Sequence, residues 1–136
     1  MSFGTAVRIS RSNMALRRKF FSTFANMSDY QFVWKWEEDI PDPSEAPSNL
    51  YFAKWMPQQD LLAHKSIRGY IAHGGMNGVN EAVHYGVPMI IFPIMGDQDY
   101  NANTLAAKDL AVVMEITDFT KQELTDSLNT ILYDKQ

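Results

Sequence analysis

The chain has 136 residues, 46% hydrophobic and 21% charged, which suits one globular domain with a single core. It contains no cysteine, so disulfides, thiolate metal sites and a cysteine nucleophile are excluded. The net charge of −4 argues against a nucleic-acid binder relying on general electrostatic attraction, and no run approaches the roughly 18 apolar residues needed to span a bilayer. The first residues, Met1 to Thr5, lack the basic and then apolar stretches of a signal peptide.

Asn13 to Met27 places Met14, Phe20, Phe21, Phe24 and Met27 largely on one helical face, with Arg17, Arg18 and Lys19 turned elsewhere. Gln31 to Trp36 reads as an aromatic-rich strand. Pro41, Pro43 and Pro47 then forbid a helix or central strand across Asp39 to Ser48. Leu50 to Lys54 is the next strand, followed after Pro57 by a short helix from Gln58 to His64. Gly69 to Ala72 is an apolar strand that ends at His73-Gly74-Gly75.

A helix from about Met76 to Tyr85 comes next, and Gly86 suits the residue just past its end, where a left-handed backbone favours glycine. Val87 to Phe92 is a near-continuous apolar run, as in a strand covered on both faces. A helix from about Gln98 to Lys108 and a strand from Ala111 to Glu115 complete the alternation. Thr120-Lys-Gln-Glu123 is a capping box that opens a last helix bearing Leu124, Leu128, Ile131 and Leu132. Short strands alternating with longer helices predict a doubly wound α/β domain with a parallel sheet.

In such a sheet, ligands bind beyond the carboxyl ends of the strands, where helix N-termini offer unpaired N–H groups. Four polar clusters fall there: Ser2 to Thr5, Trp55 to Gln59, His73 to Glu81, and Gly96 to Asp99. The glycines of His73-Gly74-Gly75 let the backbone approach a phosphate at the positive end of the following helix, with His73 as an added donor. The same triplet also describes a tight turn with a hydrogen-bonded histidine. Asn77 and Gly78 extend this loop, although Asn77 equally suits a stabiliser of the first helical turn.

Glu81, two turns into the helix, suits two adjacent ribose hydroxyls, or is a solvated helix glutamate. Trp55 offers a flat face for stacking a base, with Gln58 able to read its edge, or else belongs to the core. Asp97 and Gln98 together suit sugar hydroxyls. The Asp97-Gln98-Asp99 triplet also matches a Mn²⁺ or Mg²⁺ site, with no second carboxylate cluster in support. His64 and His84 fit no ligand spacing and read as structural or exposed, and the eight methionines read as core gap-fillers. Neither a Gly-x-x-x-x-Gly-Lys-Ser/Thr phosphate loop nor a Gly-x-Gly-x-x-Gly dinucleotide fingerprint occurs.

Trp55-Met-Pro-Gln-Gln-Asp-Leu-Leu62, His73-Gly-Gly-Met-Asn-Gly78, Glu81-Ala82, Gly86-Val-Pro88 and Asp97-Gln98 occur in one order. Together they resemble the signature of the UDP-glycosyltransferases, specifically the animal glucuronosyltransferase-like branch. Ser2-Phe-Gly-Thr5 resembles the phosphate-contacting motif at the start of that family's C-terminal domain.

The resemblance implies the donor-binding, C-terminal half of a GT-B enzyme built of two Rossmann-like domains, over residues 1–136. It assigns UDP-sugar contacts to Thr5, Trp55, Gln58, His73, Gly74, Gly75, Asn77, Gly78, Glu81, Asp97 and Gln98. Trp55 would stack on uracil, Gln58 bond near the base or ribose, and Glu81 grip the ribose hydroxyls. Thr5, His73, Asn77 and nearby amides would hold the diphosphate, and Asp97 with Gln98 the sugar. No metal or other cofactor is implied, because a helix N-terminus and His73 can stabilise departing UDP.

The family's catalytic base, a histidine supported by an aspartate, belongs to an N-terminal acceptor domain absent from this sequence. None of His64, His73 or His84 is therefore cast in that role. The family's C-terminal membrane helix and basic tail are also absent, and Met76, Gly78 and Tyr100 depart from its pattern. The parent is expected in the endoplasmic reticulum membrane, with this chain itself soluble. Its function would be hexosyl transfer from a UDP-sugar to a lipophilic acceptor. The alternative is a non-catalytic UDP-sugar-binding subunit of a split enzyme, and a weaker one is a degenerate domain that binds nothing. The family's first, central strand would lie immediately before Ser2, so the isolated chain is expected to expose a strand edge and to dimerise or dissolve poorly.

Overall fold

The computed structural model describes residues 1–2, 14–36 and 46–133. Its helices are α1 (Met14–Ala25), α2 (Gln58–Ala63), α3 (Met76–His84), α4 (Gln98–Ala107) and α5 (Lys121–Tyr133). The strands are β1 (Phe32–Lys35), β2 (Leu50–Ala53), β3 (Tyr70–Ala72), β4 (Met89–Ile91) and β5 (Ala111–Val113). Every pairing is parallel, in a two-stranded sheet β1-β2 and a three-stranded sheet β3-β4-β5.

Residues 1–2 join these sheets into one layer. The Lys35 N–H donates to the Met1 carbonyl and the Ser2 N–H to the Ile71 carbonyl, both at 3.0 Å. Ser2 thus bridges in parallel to Ala72. The order across the layer is β2-β1-(1–2)-β3-β4-β5, which reverses direction at residues 1–2. The single sheet expected from sequence is therefore two hydrogen-bonded sheets joined through two residues.

Alternation along the strands builds a core on each face, because successive side chains point to opposite sides of a sheet. Ile71, Ile90 and Met114 join Phe20 and Phe24 of α1 and Leu124, Leu128 and Ile131 of α5. Tyr70, Ala72, Met89 and Ile91 face the other way, against Leu62 of α2, Val79 and Ala82 of α3, and Ala102 and Leu105 of α4. Helices on both faces of a parallel sheet make the doubly wound arrangement.

The first core is aromatic. The Phe20 ring lies 5.4 Å from that of Trp34, 5.6 Å from Phe92 and 5.5 Å from Phe119, all in edge-on or tilted geometry. Such pairs add to the gain from buried area. Arg17 and Lys19 do not point away from this core as expected. The Arg17 guanidinium sits 5.9 Å from the Trp36 ring centre and the Lys19 ammonium 4.7 Å from that of Phe119. Their long stems cover aromatic surface while the charge meets the electron-rich ring face.

Turn chemistry sets the boundaries. Gly86 adopts φ +67° just past α3, where a side chain would strain the backbone. The Thr120 hydroxyl accepts from the Glu123 N–H at 3.1 Å and so caps α5. The Asn49 amide reaches the Phe24, Met27 and Tyr30 carbonyls, tying the end of α1 to the start of β2. Among the described residues no helix is long and apolar enough to cross a membrane.

Phe20 is fully buried at the centre of four aromatic contacts. Phe20→Ala is expected to lower unfolding free energy by about 3–5 kcal/mol, the usual cost of a large aromatic cavity. Urea denaturation followed by circular dichroism measures it.

Candidate functional site

The parallel strands end at one edge, and most of the sequence-selected residues follow those ends directly. Trp55 and Gln58 follow β2, His73 to Glu81 follow β3, and Asp97 and Gln98 follow β4. Thr5 lies outside the described residues.

The turn after β3 depends on missing side chains. Gly74 has φ +94°, and a Cβ there would stand 3.0 Å from Ile91 Cγ2 and 3.2 Å from the Gln98 carbonyl. A Cβ on Gly75 would fall 2.6 Å from His73 Nε2, so the imidazole folds directly over this glycine. Gly75 then begins α3 with no side-chain cap, leaving the first-turn N–H groups directed at the edge. That end of the helix carries about half a positive charge.

His73 is half-buried, and its Nδ1 has no hydrogen-bond partner among the described residues. Desolvation holds the imidazole below its ordinary value, with the Asp97 carboxylate pulling weakly the other way. Burial therefore favours the neutral ring, whereas an anion placed beside it would favour the protonated one.

Gln58 and Glu81 meet. The Gln58 Nε2 donates to Glu81 Oε2 at 2.9 Å, and the Tyr70 hydroxyl donates to Gln58 Oε1 at 3.1 Å. Trp55 is 76% exposed, an open indole face beside them in the chain, unlike Trp34 and Trp36, which are buried. Asn77 is exposed and makes no cap, so it is free of the purely local role that its position allowed. Asp97 is exposed as well.

Gln98 is placed differently from a freely reaching ligand. It is 8% exposed, and its Oε1 accepts from the Ile94 and Met95 N–H groups at 2.8 and 3.0 Å. Its amide oxygen braces the loop, which leaves the NH₂ for other partners. Asn101 supports the same corner from α4, its Nδ2 donating to the Gly74 carbonyl at 2.9 Å. Sequence reasoning passed over both Asn101 and Tyr70. Asn101 sits in a polar first turn that signals only a helix start, and Tyr70 reads as an ordinary strand aromatic.

His64 and His84 are exposed and away from this corner in sequence. Met89 and Met114 fill core positions, but Met76 and Met95 are 49% and 54% exposed, against the expectation that all methionines pack inside. Among the described residues no three histidine, aspartate or glutamate side chains gather as a metal group. A cavity of about 460 Å³ runs from the strand starts, at Phe32, Gly69 and Ile131, along α2 as far as Gln58 and Tyr70 of the corner just described. Its lining is mostly apolar, although Gln31, Ser66 and Arg68 also border it, and it lacks the uncapped helix end and glycine turn that would receive a diphosphate at the carboxyl edge.

The family described as UDP-glucoronosyl and UDP-glucosyl transferase matches residues 1–136. The chain belongs to this family. UDP-glucosyltransferase 2 of Dactylopius coccus is 36% identical over 98% of this chain and 25% of its own length. Human UDP-glucuronosyltransferase 3A1 is 33% identical over 100% of this chain and 26% of its own. The chain of this UDP-glycosyltransferase family member thus spans about a quarter of these relatives.

Among solved structures, a UDP-glucose: anthocyanidin 3-O-glucosyltransferase in complex with UDP superposes with a TM-score of 0.77 at 30% identity. That match covers 98% of this chain and 31% of the other. The glycotransferase of kitacinnamycin reaches a TM-score of 0.84 at 24% identity, over 98% of this chain and 34% of its own, and shares the fold.

The depressed His73 imidazole links site and stability. The unfolded ring binds a proton near pH 6.5 and the folded ring only at lower pH. Stability from this group is therefore complete above pH 6.5 and lost as the pH falls toward the folded value. The urea midpoint should drop more steeply from pH 7.5 to about 5.5 in the unsubstituted chain than in His73→Gln.

Proposed function

We propose that residues 1–136 form the donor-binding domain of a UDP-glycosyltransferase, holding a UDP-sugar at the carboxyl edge of the parallel layer. The observation that carries this reading is the convergence of an uncapped α3 N-terminus, the His73 ring and the Gln58–Glu81 pair at one corner of the fold. Family membership supplies the ligand class, and the superposable glucosyltransferase is itself in complex with UDP.

In this reading Trp55 stacks on uracil and Gln58 bonds close to the base or ribose. Glu81 accepts from the ribose diol, with one carboxylate oxygen already oriented by Gln58. Thr5, His73, Asn77 and the amides of Gly74, Gly75 and Gly78 hold the diphosphate. Asp97 and the Gln98 NH₂ face the hexose.

The reaction of the longer enzyme is attack by an acceptor hydroxyl oxygen on the anomeric carbon, with inversion. The bond from that carbon to the β-phosphate oxygen breaks, UDP departs with the electron pair, and the acceptor proton passes to a base. We place that base, and the site for a small lipophilic acceptor, in an N-terminal half beyond this chain. His73 and the helix end then stabilise the charge growing on departing UDP, a role that preorganised donors perform without a metal. On family likeness the longer enzyme is assigned to the endoplasmic reticulum membrane.

Titration with UDP should quench tryptophan fluorescence, because Trp55 is the exposed indole. Trp55→Ala, read by calorimetry because it removes the reporter, should weaken UDP about 10- to 100-fold, the usual worth of one base stacked on an aromatic ring. Glu81→Ala should weaken it about tenfold or more through lost bonds to a charged group. A folded chain whose fluorescence and heat signal ignore UDP would overturn the reading.

A further inference from the structure

Tyr70 starts β3 yet sends its hydroxyl into the corner just described. The residue is 5% exposed, and its ring packs with Leu62, Val79 and Ala82 between the sheet and helices α2 and α3. The hydroxyl donates to Gln58 Oε1 at 3.1 Å and shares a side-chain hydrogen bond with Ser2. Gln58 in turn donates to Glu81 at 2.9 Å. Four side chains from the layer centre, β3, α2 and α3 therefore form one relay.

We propose that Tyr70 is a positioning residue for ribose recognition: through Gln58 it fixes the Glu81 carboxylate that selects a ribose over a deoxyribose. This rests on the donor-site reading above and deepens it.

The relay has a direction. A carboxamide has one accepting and one donating end. The Tyr70 hydroxyl occupies the oxygen of Gln58, so the NH₂ turns to Glu81. The opposite rotamer would press Oε1 against the carboxylate, acceptor against acceptor. One Glu81 oxygen is thus committed to Gln58 and the other stays available for a hydroxyl pair. Backbone space is cut to fit, because a Cβ on Gly78 would stand 3.0 Å from the Tyr70 hydroxyl and 3.5 Å from Gln58 Nε2.

Burial keeps the phenol protonated. Desolvation raises it to about 12, with the Ser2 bond lowering it and the Glu81 charge raising it further. The hydroxyl consequently remains a donor at every working pH. Partly buried chains of hydrogen bonds also polarise one another, which strengthens the final bond to Glu81.

The test compares affinities of the full chain for UDP and for 2′-deoxy-UDP by calorimetry. Tyr70→Phe removes one oxygen and keeps the ring. It should weaken UDP roughly three- to tenfold, in line with one lost hydrogen bond, and leave 2′-deoxy-UDP within about twofold. Adding Tyr70→Phe to Gln58→Ala should then change the ribose preference no further. Ser2→Ala, which spares the ring, should move the preference in the same direction, and it serves if Tyr70→Phe does not fold.

Equal losses for both nucleotides, or unchanged preference in both variants, would overturn the role of Tyr70 alone. Failure of the unsubstituted chain to bind UDP would overturn the donor site and this inference with it.

Discussion

Backbone hydrogen bonds through residues 1 and 2 join the two sheets into one layer. Met1 accepts from Lys35 on one side, and Ser2 donates to Ile71 on the other. That link aligns β1-β2 with β3-β4-β5, and the aromatic core packed beneath both sheets holds them together. With it, Trp55 and Gln58 stand at the same edge as His73 and Glu81, on either side of the point where strand order reverses. That is where parallel α/β sheets bind ligands, because the connections diverge there and leave a crevice. Ser2 serves twice, its amide in the ladder and its side chain on the Tyr70 hydroxyl.

The corner itself is made by omission and bracing together. Gly74 and Gly75 leave no Cβ where Ile91, the Gln98 backbone and the His73 ring need to be. Asn101 holds the Gly74 carbonyl, and Gln98 holds the amides of Ile94 and Met95. A helix N-terminus left uncapped is costly unless water or a ligand meets its N–H groups. Here the rigid frame keeps those groups aligned before anything binds, which is the condition for stabilising a departing diphosphate. The aromatic core under the opposite face carries the packing, so the edge can remain polar and open.

Much of this was legible in the sequence, and for identifiable reasons. Among the described residues, period and punctuation located the five helices and five strands to within a few residues, because glycine, proline and capping side chains act locally. Gly86 and Thr120 did what their positions implied. Most candidate site residues fell on strand ends because a parallel sheet leaves few other places for polar clusters.

What stayed hidden were interactions between distant parts of the chain. Arg17 and Lys19 lie over aromatic rings that sequence spacing cannot bring to them. Asn49 closes α1 at the Phe24 carbonyl, 25 residues away in the chain. Tyr70 looked like strand filling because its hydroxyl acts on α2 and α3, and Gln98 looked like a free sugar ligand although the loop consumes its oxygen. Met76 and Met95 could not be told from core methionines without knowing which turns face outward.

If the donor site is as proposed, UDP binds at the carboxyl edge and not among the mostly apolar residues near the strand starts. Amide chemical-shift mapping by NMR during titration with UDP tests this directly. Perturbations are expected to centre on Gly75, Met76, Asn77 and Gly78, with the Trp55 indole moving together with them. Perturbations centred on Phe32, Ile71 and Ile131, or a spectrum that UDP leaves unchanged, would contradict it.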